Sequence, residues 1–282
     1  MAVKIGVCAF ATEDGLDFVE LARRAEALGF ESLWAPEHGT IPVGAATPYP
    51  DGGAMPELLK HIGDPLVALA AAAGATHTLR LGTCVSLVPQ HDPKTLAKQV
   101  ATLDLLSHGR LHLGIGAGWL REESETMGVD FKRRWSQTRE HVLAMQALWT
   151  QEQAAFAGKY VSFPPLWCWP KPLQKPYPPI LIGGELAKAA ERIAEYGDGW
   201  MPRYRAVDPA AVETGRARIA ALLRARGRPS DALDVTLWGC KPERAVMRSY
   251  EDAGVTRFLL VLRPEEPQAS LRRLEDTAEK VL

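Results

Sequence analysis

The feature that most constrains this chain is an alternation of short, continuously apolar runs with longer segments of helical period, sustained along nearly its whole length. Lys4 to Cys8 reads as a strand. The segment from Asp14 to Leu28 then places Phe18, Leu21, Ala25 and Leu28 on one face, with an Asp14 cap and a Gly29 stop. Strands follow at Ser32 to Ala35, Arg80 to Val88 and Arg110 to Ile115. Helices are expected over Pro65 to Ala75, Pro93 to Leu106 and about Trp135 to Trp149. In the second half the strands are Pro179 to Ile182, Gly199 to Pro202, Asp234 to Trp238 and Arg257 to Leu262. The helices there are Leu186 to Tyr196, Pro209 to Arg226, Pro242 to Ala253 and Pro267 to Leu282.

Strands whose apolar residues run continuously, rather than at every second position, are buried on both faces, so the sheet is parallel and covered by helices. Eight such units in 282 residues favour a closed (β/α)8 barrel, the TIM barrel of the α/β class, over an open doubly wound sheet. One domain over residues 1–282 is expected, since 46% hydrophobic composition suffices for one large core.

Two long segments interrupt the rhythm. Glu37 to Gly63 directly follows the second strand and therefore lies at the carboxyl face of a barrel, where sites are built. Gln151 to Pro178, with Phe163-Pro164-Pro165-Leu166-Trp167-Cys168-Trp169-Pro170, follows a helix, so it starts at the opposite face and need not reach the site.

The stretch Leu111-His112-Leu113-Gly114-Ile115-Gly116-Ala117-Gly118-Trp119 carries chemistry. A buried strand whose carboxyl end lacks side chains lets a flat ligand lie against the backbone; the alternative is glycines relieving a crowded rim. Pro179-Ile180-Leu181-Ile182-Gly183-Gly184-Glu185 repeats the arrangement as a second wall. Neither is a Gly-x-Gly-x-x-Gly fingerprint with a helix opening on the turn, so a dinucleotide fold is disfavoured.

Thirty-three basic and 34 acidic residues leave a net charge of −1 with no basic run, which argues against nucleic acid and membrane surfaces as partners. No apolar stretch approaches the roughly 20 residues needed to span a bilayer. Cys8, Cys84, Cys168 and Cys240 are far apart, with no Cys-x-x-Cys. The first strand offers no His-x-His, so no metal site is expected. A cytoplasmic protein with free thiols and a small-molecule ligand is the simplest reading.

Several motifs together resemble the luciferase-like monooxygenase superfamily, and most closely its branch using the deazaflavin coenzyme F420. They are Arg80-Leu81-Gly82-Thr83-Cys84-Val85, Gly109 through Trp119, Pro170-Lys171-Pro172 with Pro178 through Gly184, and Gly197-Asp198-Gly199-Trp200. The resemblance implies a (β/α)8 barrel, usually a homodimer, holding a flavin or deazaflavin at the carboxyl ends of its strands. It implies a non-proline cis peptide at Cys84-Val85, forming a bulge behind the ring, with Gly116, Ala117 and Gly118 beside it. His38, just past the second strand at a barrel carboxyl end, is either a structural loop histidine or, as the resemblance implies, a catalytic proton carrier beside the ring. Glu37 either contacts the ring edge or faces solvent. In this resemblance Ala117 stands where flavin-using luciferases carry an arginine, which favours F420 over FMN. Backbone N–H groups at Gly183, Gly184 and Glu185 either bind the cofactor's phosphodiester or form a tight turn, and Gly199 and Trp200 close that end. Trp119 replaces the glutamate of the branch's sugar-phosphate dehydrogenases and is either an apolar substrate wall or a rim cover. Glu122, Glu123 and Glu125 read as a solvated face.

The expected function is F420-dependent hydride transfer to or from a small organic substrate. An FMN-dependent monooxygenase and a non-catalytic flavin-binding barrel are the alternatives.

Overall fold

Strand β1 (Lys4–Ala9) leads to helix α1 (Phe18–Leu28), in which Phe18, Leu21, Ala22 and Ala25 are buried. The computed structural model describes residues 3–184, 186–231 and 233–282. The α1 cap is Asp17, not Asp14: its carboxylate accepts from the Glu20 N–H at 2.8 Å, immediately before the first buried residue of the helix. Gly29 ends the helix with φ 91°, a left-handed conformation that costs glycine little.

The chain continues through β2 (Ser32–Ala35), α2 (Pro65–Ala75), β3 (Arg80–Thr83), β4 (Ser86–Leu87), α3 (Pro93–Leu106) and β5 (Leu111–Gly116). Next come α4 (Arg121–Thr126), α5 (Arg134–Thr150), β6 (Ala154–Ala157), β7 (Ser162–Leu166), β8 (Ile180–Gly183) and α6 (Leu186–Tyr196). The last elements are β9 (Gly199–Met201), α7 (Pro209–Ala225), β10 (Asp234–Trp238), α8 (Arg244–Asp252), β11 (Arg257–Leu262) and α9 (Pro267–Val281). Parallel pairing runs β3-β2-β1-β11-β10-β9-β8-β5, and β5 pairs back to β3. The sheet therefore closes into the (β/α)8 barrel.

The expected strand Arg80 to Val88 is in fact two. Gly82 aligns with His112 and Ser86 with Ile115, so three residues on one side face two on the other. The extra residue bulges at Cys84–Val85, whose peptide bond is cis, as the resemblance implied.

Inside the barrel, Trp34 is completely buried and packs with Cys8, Cys84, Leu181, Met201 and Leu259. Gly82 makes room for it, because a Cβ there would lie 2.2 Å from the indole. Below, toward the amino ends of the strands, the fully buried Arg257 guanidinium bonds Glu31 at 3.0 Å and Asp234 at 2.7 Å. Two opposing carboxylates make that buried cation tolerable.

The segment from Gln151 to Pro178 is not structureless. It holds the antiparallel pair β6–β7, which packs on α5. Pro164 and Pro165 hide that hairpin in the sequence, since proline is tolerated only at a sheet edge and this two-stranded sheet is all edge. Among the described residues, no helix is long and apolar enough to cross a membrane.

Candidate functional site

A cavity of about 300 Å³ opens at the carboxyl ends of the barrel strands, the face where barrel enzymes build their sites. Its floor is the Cys84–Val85 bulge with Gly116, Ala117 and Gly118; Gly183 and Gly184 form one wall, and Glu37, His38 and Trp119 another. Ten of the positions singled out from sequence thus converge on a single cavity.

The glycines act through the bulge. A Cβ at Gly116 would meet Val85 Cγ2 at 2.6 Å, and one at Gly183 would stand 3.4 Å from Val85 Cγ1. Both strands are bare where Val85 presses between them. Gly184 lines the cavity with φ 110°, and a Cβ there would meet nothing within 4 Å. A flat, apolar floor with accessible backbone fits a tricyclic ring.

His38 is held rigidly. Its Nδ1 lies 2.9 Å from Glu123 Oε2, while Glu123 Oε1 accepts the Gly39 N–H at 3.0 Å. Glu123 has no solvent exposure, so it is no part of a solvated face. A carboxylate on Nδ1 keeps the proton there in the neutral imidazole and leaves Nε2 to accept. The His38 ring stands edge-on to Trp119 at 5.7 Å, and Trp119 in turn to Tyr49 at 5.6 Å. Tyr49 belongs to the long loop after β2, which Glu122 ties down by accepting from Thr47 Oγ1 at 2.6 Å and the Ala46 N–H at 2.9 Å.

Glu37 lines the cavity, yet its oxygens are occupied. One accepts the Leu87 N–H at 2.6 Å and the other pairs with His91 Nε2 at 2.6 Å. Burial works to raise the Glu37 pKa, but the His91 contact and the Leu87 N–H outweigh it and hold the carboxyl below its ordinary value. Burial works to lower the His91 pKa, and the Glu37 carboxylate overrides it, so His91 titrates above its ordinary value. The pair fastens the segment after the bulge to the end of β2. Glu37 therefore supports the floor instead of facing solvent.

Two expected cofactor residues lie elsewhere. Gly199 opens β9 at the amino end of the strand, packed against the Asp234 carbonyl. Trp200 is fully buried against Gly215 of α7, with its Nε1–H donated to the Gly184 carbonyl at 3.2 Å. It supports the wall from behind, because adjacent strand residues point to opposite faces and Met201 takes the inward one. Glu185 lies outside the described residues. Trp167 and Trp169, at 69% and 56% exposure, do not line the cavity.

Glu123, His91, Trp135, Met201 and Trp238 were missed from sequence. Glu123 sits on a helix of six residues, too short to show a period, within a run of acids that differ only in what the fold packs over them. Among the described residues, no group of three or more His, Cys, Asp or Glu side chains is arranged to hold a metal ion.

This barrel with its bulged, glycine-walled cavity agrees with the match of residues 7–241 to the family described as luciferase-like monooxygenase. The chain belongs to that family. It is 39% identical over 263 residues to the uncharacterized protein Rv0953c of Mycobacterium tuberculosis, covering 90% of each chain. An F420-dependent glucose-6-phosphate dehydrogenase of Amycolatopsis mediterranei is 31% identical over 207 residues, which cover 71% of this chain and 57% of that one. The monooxygenase RslO1 from Streptomyces bottropensis superposes with a TM-score of 0.78 at 21% identity over 98% of both chains. That likeness bears on the fold.

Proposed function

We propose that the protein is an F420-dependent oxidoreductase that transfers a hydride between the deazaflavin ring and a small organic substrate. The observation that carries this reading is the His38–Glu123 pair at the edge of a flat, glycine-walled floor. When bound, the deazaflavin supplies a ring carbon that gives or takes hydride. The chain supplies everything else.

The Cys84–Val85 bulge, Gly116, Ala117 and Gly118 would hold the ring, and backbone N–H groups of Gly183 and Gly184, which line the same cavity, would hold the cofactor's phosphodiester. Glu123 keeps the Nδ1 proton of His38 in place, so that Nε2 takes a proton from a substrate hydroxyl during oxidation, or returns one to a carbonyl during reduction. Trp119 and Tyr49 wall the substrate side with aromatic surface and exclude water. The 31% identity to an F420-dependent dehydrogenase supports the choice of coenzyme. Ala117, which lines the cavity at the position where the resemblance gives flavin-using luciferases an arginine, supports it too. The working assembly in this reading is a cytoplasmic homodimer.

Parallel fluorescence titrations with oxidised F420 and with FMN test the proposal. Micromolar or tighter preference for F420 is expected. Preference for FMN, with oxygen consumed on adding its reduced form, would replace this reading with an FMN-dependent monooxygenase. Tight binding without turnover across a broad substrate panel would leave a binding barrel.

A further inference from the structure

Beside the cofactor cavity lies a second one of about 340 Å³, above the carboxyl ends of β1, β9, β10 and β11. The two share a wall that includes Phe10, Tyr49, Arg203 and Trp238, so one ligand can reach into both. Val7, Leu260 and Leu262 contribute to an apolar interior, while the rim is cationic.

Three consecutive barrel strands each deliver a cation to that rim. Arg205 comes from the turn after β9, Lys241 from the loop after β10, and Arg263 directly follows β11. None of the three has an ionic partner among the described residues. Of the other two cations on the rim, Arg203 is matched by Asp51 at 2.8 Å and Arg273 by Glu265. Asp51 is the lone carboxylate of the lining among the described residues, and Arg203 neutralises it. A chain with net charge −1 thus gathers uncompensated positive charge around one concave, apolar-floored space. Such a space concentrates small anions and binds their oxygens through charge-assisted hydrogen bonds.

We infer that this second cavity is an anion subsite, holding the carboxylate or phosphate group of the substrate while its reacting carbon lies by His38. Assigning the anion to the substrate rests on the hydride-transfer reading; the anion subsite itself does not. The same chemistry would suit the acidic tail of the cofactor, and the experiment separates the two.

Inorganic phosphate is titrated calorimetrically into cofactor-free protein, into protein saturated with F420, and into the double variant Lys241→Gln, Arg263→Gln. Both replaced side chains are exposed, and a melting curve checks that the variant is folded. The expected result is saturable binding that weakens with added salt, weakens about tenfold or more in the double variant, and persists in the F420-saturated protein. Absence of saturable binding to the wild-type protein, or equal affinity in the double variant, overturns the subsite. Displacement of phosphate by F420 overturns the assignment to substrate and gives the cavity to the cofactor's tail. If neither F420 nor FMN binds yet phosphate binding still depends on Lys241 and Arg263, the proposed function fails and the anion subsite stands.

Discussion

His38 Nδ1 and Glu123 Oε2, 85 residues apart in the chain, meet at 2.9 Å with the carboxylate sealed from solvent. The same carboxylate takes the neighbouring Gly39 N–H, so backbone and ring are oriented by one group. Glu123 is a positioning residue: it acts on the reaction through His38.

Replacing either member of this pair separates proton handling from cofactor binding. His38→Ala is expected to lower turnover by about two orders of magnitude or more, and Glu123→Gln by about tenfold, in line with general acid–base contributions. F420 affinity should stay within about threefold in both, since the floor is made by other residues. Equal turnover of His38→Ala and wild type in a steady-state assay would remove His38 from the mechanism.

The floor should resist even one added methyl. Gly116→Ala drives a Cβ to 2.6 Å from Val85 Cγ2, so a loss of about 1–3 kcal/mol and weaker cofactor binding are expected. Gly74→Ala, on the exposed face of α2 with nothing within 4 Å, should instead stabilise by about 0.4–1 kcal/mol. Urea unfolding of the two variants measures both signs, and a neutral Gly116→Ala would show that Val85 yields.

The Glu37–His91 pair predicts a window of pH. A carboxyl depressed in the folded state stabilises above its unfolded value and loses that effect as pH falls through the lower folded value. A histidine raised in the folded state stabilises fully below its ordinary 6.5 and loses that effect as pH rises through the higher folded value. The pair is therefore strongest in mildly acidic solution. The stability difference between wild type and His91→Gln should shrink as pH rises above 6.5; a difference that grows would contradict it.

His112 predicts the opposite behaviour from the far end of the barrel. Burial, then the Arg257 charge, pushes its pKa down from 6.5 to about 4. Between those values the unfolded chain binds a proton that the folded chain refuses, so stability falls as pH falls, by at most about 1.4 kcal/mol per pH unit. Unfolding measured from pH 7 down to 4 should show this slope in wild type and a shallower one in His112→Gln.

What could be read from residues alone was what repeats or what is locally obligatory. Ser32–Ala35, Asp234–Trp238 and Arg257–Leu262 coincide with their expected bounds, because strands buried on both faces carry near-continuous apolar runs, and α2 and α3 begin at prolines that fit only a first turn. Eight such units left few arrangements besides a closed barrel. The glycines and His38 were legible because they stand at carboxyl ends of strands, where the barrel gathers its loops. Tertiary structure decided the rest. Which of three nearby glutamates is buried on His38, which face of β9 meets the cavity, and which loops bring Arg205, Lys241 and Arg263 together depend on contacts between residues far apart in the chain. Local composition carries no record of such contacts, since the same side chain is solvated or buried according to what folds over it.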